Sequence, residues 1–230
     1  MSGLQSDRIP GTERHLISLQ YSNSDFLGHE LVGQVYYRDE SLLFYPFPTV
    51  NANKQASAFS SSQQDTDQYG AKLTLNSKPL DGLLLTYGLD ADHERFTSNQ
   101  MFFDLANANA SGGMNNQRIY TTGRYPGYDI TNLAAFLQSS YDINDIFTLS
   151  GGVRYQYTEN KIDDFIGYAQ QQQIAAGKVQ SADAIPGGSV DYDNFLFNAG
   201  LLVHLNSNRV VVGESVDRGG RRLIERTKRW

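Results

Sequence analysis

The sequence predicts an all-β fold: an antiparallel transmembrane β-barrel segment of about seven meander strands, too few to close the barrel. Segments of about ten residues alternate apolar and polar side chains, the period of a strand with one apolar and one wet face. Their connections alternate between short turns and long loops, as in outer-membrane barrels. No run approaches the ~18 apolar residues of a membrane helix, so a helical membrane protein is excluded.

The alternation predicts seven strands in order along the chain. Their ranges are residues 14–21, 26–38, 67–77, 83–96, 132–142, 147–158 and 192–206. The clearest is 147–158, where Leu149 and Val153 share a face and Ser150 and Arg154 occupy the other. The last strand carries an unbroken apolar face that begins at Phe195.

The predicted connections fall into two length classes. Short turns are expected at 22–25, 77–82 and 142–145, where Asp, Asn, Ser, Pro and Gly cluster. Long connections are expected at 39–65, 97–130 and 159–191. Loops beyond ~12–15 residues are uncommon in compact domains. Strict alternation of the two classes favours a barrel with short turns at one end and long loops at the other.

The two ends of the chain depart from the strand pattern. The start, residues 1–14, has neither the basic nor the apolar region of a signal peptide. The last 24 residues hold seven basic and three acidic residues, although the whole chain of 230 residues carries a net charge of −6. We therefore divide the chain into a partial barrel at 1–206 and a non-barrel basic tail at 207–230. A shifted reading frame or a foreign, rearranged gene segment would account for the tail.

Two neighbouring strands carry a family resemblance. The matching positions are Phe136, Gln138, Thr148, Leu149, Gly152, Arg154 and Tyr155, and Asn198 to Leu201 follow in the next strand. This pair of strands resembles the barrel of TonB-dependent outer-membrane receptors, and among them receptors for ferric siderophores. The resemblance covers about residues 12–206. The family barrel has about 22 strands around a plugged lumen, so the chain is expected to be an internal piece of such a receptor.

The resemblance implies a transport protein of the bacterial outer membrane. Its transported ligand would be a ferric siderophore, and the outer-membrane lipid would surround its apolar face. The TonB energy-coupling complex would act through a plug domain that this sequence does not resemble. No resident cofactor and no nucleic-acid partner are expected.

The residues themselves offer little support for an enzyme. The four histidines lie on different strands without the spacing of a metal site, and the chain has no cysteine. There is no G-x-S-x-G and no phosphate-binding glycine motif. We predict no catalytic residue and no metal site. The inward carboxylates Asp90, Asp92 and Glu94 are interpreted as lining of a watery lumen.

The predicted long loops contain the candidate ligand-binding residues. They form two groups of aromatic and arginine side chains: Phe44, Tyr45 and Phe47, then Arg118, Tyr120, Arg124, Tyr125 and Tyr128. Aromatic faces and a guanidinium suit an anionic, partly aromatic iron chelate. The alternative is that these side chains only stiffen the loops or lie at the lipid headgroups.

Two other classes of protein remain open from the sequence. One is a soluble β-sandwich that binds carbohydrate or peptide. The other is an outer-membrane hydrolase or small porin. A requirement for detergent separates the soluble module from a membrane barrel, because an open sheet with a lipid-facing side aggregates in water.

Overall fold

The computed structural model describes residues 11–204. These residues form nine β-strands and two short helices. In chain order they are β1 (Gly11–Phe26), β2 (His29–Leu43), β3 (Phe47–Val50), β4 (Ala56–Leu80), β5 (Leu83–Phe103), α1 (Leu105–Ala110), β6 (Arg118–Gly123), β7 (Tyr128–Asp142), β8 (Phe147–Ile162), α2 (Tyr168–Ala175) and β9 (Gly188–Val203).

All nine strands belong to one antiparallel sheet. Seven of them follow one another as a meander in the order β1-β2-β4-β5-β7-β8-β9, while β3 pairs with β4 and β6 with β5. The strands β1 and β9 end this path without pairing to each other, so the sheet is open over the described residues. The predicted incomplete barrel of about seven meander strands is confirmed, and a two-sheet sandwich is not formed. Neither described helix is long and apolar enough to span a membrane.

The register places the two kinds of side chain on opposite faces. Residues directly opposite each other on paired strands share a face, and the register keeps even-numbered residues of the seven meander strands together. The odd-numbered face is apolar in its middle rows, and one of these rows is Leu19, Val35, Ala71, Ala91, Leu133 and Tyr157. Much of this apolar face is exposed, including Leu89, Phe197 and Leu201. We call the two sides the apolar face and the polar face.

The polar face holds carboxylates in hydrogen bonds that cross its strands. Arg154 Nη1 donates to Asp90 Oδ2 at 2.7 Å across two strands. Asn132 donates to Asp92 Oδ2 at 2.9 Å and accepts from the Thr158 hydroxyl at 2.7 Å. The carboxylates that the sequence placed in a watery lumen are therefore hydrogen-bonded along the wall of the sheet.

The first predicted turn lies four residues too early. β1 continues through 22–25, where Asn23 Oδ1 accepts from the Asp25 backbone N–H and the register shifts. The chain reverses at Leu27 and Gly28, whose φ angles of 54° and 83° suit a two-residue hairpin of type I′. The turn at Asp81 and Gly82 lies within the predicted range, and the turn predicted at 142–145 occupies 143–146, one residue later.

The long connections are shorter than predicted because the strands run further. β4 begins at Ala56 and β5 ends at Phe103, so the predicted loops 39–65 and 97–130 contain paired strand. β3, β6 and α1 occupy much of the remainder, and α2 lies in the third connection. The predicted tail, 207–230, lies outside the described residues, and the division of the chain at 206 stays a prediction.

Candidate functional site

Strands β4 and β5 extend beyond their neighbours and form the base of the candidate site. Their extended ends pair with β3 and β6, and both helices lie at this end of the sheet. On the odd-numbered side, Phe59, Met101 and Phe103 pack with Ala108 of α1 into a buried hydrophobic core. The Asp104 side chain caps α1 by accepting from the Asn107 N–H at 2.7 Å. We call this region the loop-end extension.

An aromatic cluster covers the polar face of the extension. The rings of Phe102 and Tyr120 stack at 4.7 Å between centroids, and Phe102 lies 6.0 Å from the ring of Tyr168. Phe102 and Tyr120 are register partners on β5 and β6, whereas Tyr168 comes from α2. Burial raises the pKa of Tyr120 and Tyr168, and Arg124 partly offsets this for Tyr168. Both phenols are therefore neutral at pH 7.

Arg124 lies at the edge of this cluster. Its guanidinium carbon is 5.6 Å from the Tyr168 ring centroid and 5.3 Å from that of Tyr125. Two hydrogen bonds to Ser98 of β5 hold this segment in place. The Arg124 N–H donates to the Ser98 carbonyl, and the Tyr125 N–H donates to the Ser98 hydroxyl. Within residues 11–204 Arg124 makes no ion pair with a carboxylate. The arrangement presents a positive charge between aromatic rings, which suits an anionic ligand with a flat apolar part.

Tyr128 belongs to a second group of contacts on the polar face, nearer the centre of the sheet. Its ring stacks on Phe96 at 4.8 Å, and its hydroxyl donates to Glu94 Oε1 at 3.4 Å. Glu94 in turn lies 3.7 Å from Arg38. Because Arg38 lies beside Glu94, positive and negative charges balance more closely in this second group than they do around Arg124.

The remaining candidate ligand-binding residues do not lie together. Phe47 pairs with Ser60, which pairs with Phe102, so Phe47 lies in the same row as the aromatic cluster. Phe44 and Tyr45 are half exposed in the segment before β3. Arg118 is exposed and pairs with Phe103 after a register shift. The structure therefore groups Tyr120, Arg124 and Tyr125 and sets Arg118 apart from them.

Two residues of the cluster were missed from the sequence. Phe102 lies in a segment, 97–103, whose alternation is lost because apolar and polar residues occur on both faces. Tyr168 lies more than 40 residues beyond Tyr120, so only the fold brings it near. The pairing of β4 with β5 continues past Phe96 to Phe103, and the alternation rule gave no signal of this for Phe102.

Buried polar groups lie beside the cluster. Ser62, Gln100 and Thr122 occupy one row across β4, β5 and β6, and all three are buried. The Ser62 hydroxyl donates to Gln100 Oε1 at 2.5 Å. Gln100 Nε2 and Thr122 Oγ1 have no hydrogen-bond partner within the described residues. No group of three or more His, Asp or Glu in residues 11–204 is arranged to hold a metal ion.

An open antiparallel sheet with one exposed apolar face and one hydrogen-bonded polar face defines a piece of an outer-membrane type of β-barrel. Comparison with known proteins agrees. The family described as TonB-dependent receptor-like, β-barrel, matches residues 3–225. The chain belongs to this family.

Individual relatives support the assignment. The chain is 84% identical over 208 residues to the ferric aerobactin receptor of Klebsiella pneumoniae, covering 90% of the chain and 28% of that receptor. It is 80% identical over 204 residues to the ferric aerobactin receptor of Escherichia coli, with 89% and 28% covered. The solved copper transporter OprC has the same fold at 14% identity, with a TM-score of 0.63, covering 89% of this chain and 30% of that one. The chain thus spans 28% of the length of these two curated relatives.

Proposed function

We propose that the chain is a barrel segment of a bacterial outer-membrane receptor that takes up ferric siderophores, and that ferric aerobactin is the ligand. The observation that carries this proposal is the identity of 84% and 80% to two ferric aerobactin receptors over about nine-tenths of the chain. The named relatives are receptors and not enzymes. That this chain has no enzymatic activity stays a prediction.

The proposal assigns the contact with ligand to the loop-end extension. Tyr120, Arg124 and Tyr125, together with Phe102 and Tyr168, would form an aromatic wall with one positive charge. Arg124 is suited to this role because no carboxylate of the described residues neutralises it. A ferric chelate with a net negative charge would be held by Coulomb attraction and by ring contacts.

The remaining partners follow from the same proposal. The apolar face would contact outer-membrane lipid, and the polar face would line the lumen. Energy would come from the TonB complex through a plug domain of the complete receptor. The short turns at Gly28, Gly82 and Asn144 would then face the periplasm and the loop-end extension the outside.

A chimeric receptor tests the proposal. In it this chain replaces the matching segment of the Klebsiella pneumoniae ferric aerobactin receptor, in cells that lack their own copy. We expect growth with ferric aerobactin as the iron source and saturable binding to whole cells. Failure of a folded, surface-displayed chimera to bind would contradict the proposed function.

The assignment of the site is tested by one substitution and a matched control. Arg124→Ala removes a charged contact worth about 1.5–3 kcal/mol, so the Kd for ferric aerobactin should rise about tenfold or more. Arg118→Ala removes the same residue type from an exposed position outside the cluster, and its Kd should stay within about twofold of the parent. Equal effects of the two substitutions would contradict the assignment.

A further inference from the structure

A glutamine side chain joins two loops that are far apart in sequence. Gln171 of α2 accepts a hydrogen bond from the Gly123 backbone N–H through Oε1 at 2.7 Å. Its Nε2 donates to the Ile166 carbonyl at 2.6 Å. Both ends of the amide are therefore engaged, one on β6 and one just before its own helix.

The bond to Gly123 replaces a missing strand partner. Among the described strands β6 pairs only with β5, and the Gly123 N–H lies on the opposite edge of β6, where it bonds Gln171. An unpaired backbone N–H in a partly buried position is costly, so the side-chain carbonyl completes the ladder where β6 ends. A Cβ built on Gly123 would lie 3.0 Å from Phe165 and 3.2 Å from the Gln171 amide nitrogen, which shows how closely the two loops approach.

The same helix brings the ring that contacts Arg124. Tyr168 and Gln171 are three residues apart, so they lie on one side of α2 and meet the β5–β6 ribbon together. α2 has eight residues, no buried residue and no side-chain bond at its N-cap Gly167. An isolated helix of this length is not stable in water, so its position depends on contacts with the rest of the structure, and these two side chains supply such contacts.

We propose that Gln171 is a positioning residue for ligand binding: it fixes the end of β6 and thereby holds Arg124 between the rings of Tyr125 and Tyr168. This inference rests on the proposed function. Gln171 need not touch the ligand. It acts through the residue that follows Gly123 and through the helix that carries Tyr168.

A double-mutant cycle in the chimeric receptor tests this role. Gln171→Leu keeps much of the side-chain volume but removes both hydrogen bonds, and we expect the Kd for ferric aerobactin to rise about tenfold. In an Arg124→Ala background the same substitution should raise the Kd by a clearly smaller factor, because the positioning of Arg124 no longer matters and only that of Tyr168 remains. Gln170→Leu, at an exposed position of the same helix, is the matched control and should have no effect.

A second measurement does not depend on the ligand. In hydrogen exchange of the chimeric receptor, the Gly123 amide should exchange about tenfold faster or more in Gln171→Leu and at the parent rate in Gln170→Leu. Heat-dependent gel migration identifies the folded barrel in each variant. Unchanged exchange at Gly123, or equal losses of affinity in the two Arg124 backgrounds, would overturn the positioning role. The two measurements separate the proposals. If the Gly123 amide exchanges faster in Gln171→Leu but the parent chimera does not bind ferric aerobactin, the proposed function is contradicted and so is the positioning of a ligand contact. Gln171 would then make a purely structural bond.

Discussion

The central part of the sheet and the loop-end extension are built from the same strands in opposite ways. In the central part odd-numbered side chains such as Leu89 and Phe197 are exposed, while the polar face is joined by hydrogen bonds across its strands. In the extension both faces are covered, by Phe59 and Phe103 on one side and by the Phe102 cluster on the other. The central part thus needs an apolar medium on one side, whereas the extension carries its own core.

The largest effect is expected from a substitution in the hydrophobic core of the loop-end extension. Phe103 is 2% exposed, and replacing a buried Phe by Ala costs about 3–5 kcal/mol. In the chimeric receptor, Phe103→Ala should lower the opening free energy of the β4–β5 amides at the loop end by about this amount, as measured by hydrogen exchange. The matched control is Phe197→Ala, on the 72% exposed ring of the apolar face, which should leave those amides unchanged. Equal protection of the loop end in both variants would show that the extension has no core of its own.

The next largest effect is expected from a charge on the apolar face, and it tests whether lipid contacts that face. Leu89→Lys places a charge in the middle of the exposed apolar rows, and a lysine facing the bilayer midplane costs about 2–4 kcal/mol. Refolding into phospholipid vesicles, followed by heat-dependent gel migration in a urea series, measures this cost.

The control for that substitution lies on the other face. Gln156→Lys places the same charge on the polar face, in the register row of Asp90, and should be tolerated. If the two lysines cost the same, the distinction between the faces is wrong.

The smallest effect concerns the buried row inside the extension. Thr122 is buried and its hydroxyl has no partner within the described residues, so Thr122→Val should change the free energy of unfolding by less than about 0.5 kcal/mol. Ser62→Ala is the contrast, because it removes a donor to Gln100 and should cost about 1 kcal/mol. Hydrogen exchange of the loop-end amides measures both. A loss above about 1 kcal/mol for Thr122→Val would show that its hydroxyl is bonded.

The contrast between the central part of the sheet and the loop-end extension explains which strands could be predicted from the sequence. Where one face is apolar and the other polar, as along β8, strict alternation gives the strand and its faces directly. In the extension, Gln100, Met101, Phe102 and Phe103 are all buried, so alternation is lost and the segment is mistaken for a loop. The first hairpin was misplaced because its turn uses Leu27, a residue that rarely adopts a positive φ, instead of the Ser and Asn residues before it.

The candidate site was predictable only in part. Composition pointed to Tyr120, Arg124 and Tyr125, which are close in sequence and meet in the fold. Tyr168 and Gln171 approach them only because β8 and the helix after it return to β6, a contact over more than 40 residues. Such a contact has no local signal in one sequence. Their role in binding stays a prediction.

Site-directed spin labelling along β8 tests the central claim most directly. This chain contributes no cysteine, so single substitutions from Leu149→Cys to Tyr157→Cys can be labelled in lipid bilayers in a chimeric receptor whose remaining segments are free of cysteine. Positions 149, 151, 153, 155 and 157 should be accessible to oxygen dissolved in the lipid, and positions 150, 152, 154 and 156 to a water-soluble nickel complex. A period of two between the reagents is the predicted result, and accessibility that does not alternate, or alternates in the opposite sense, would contradict it.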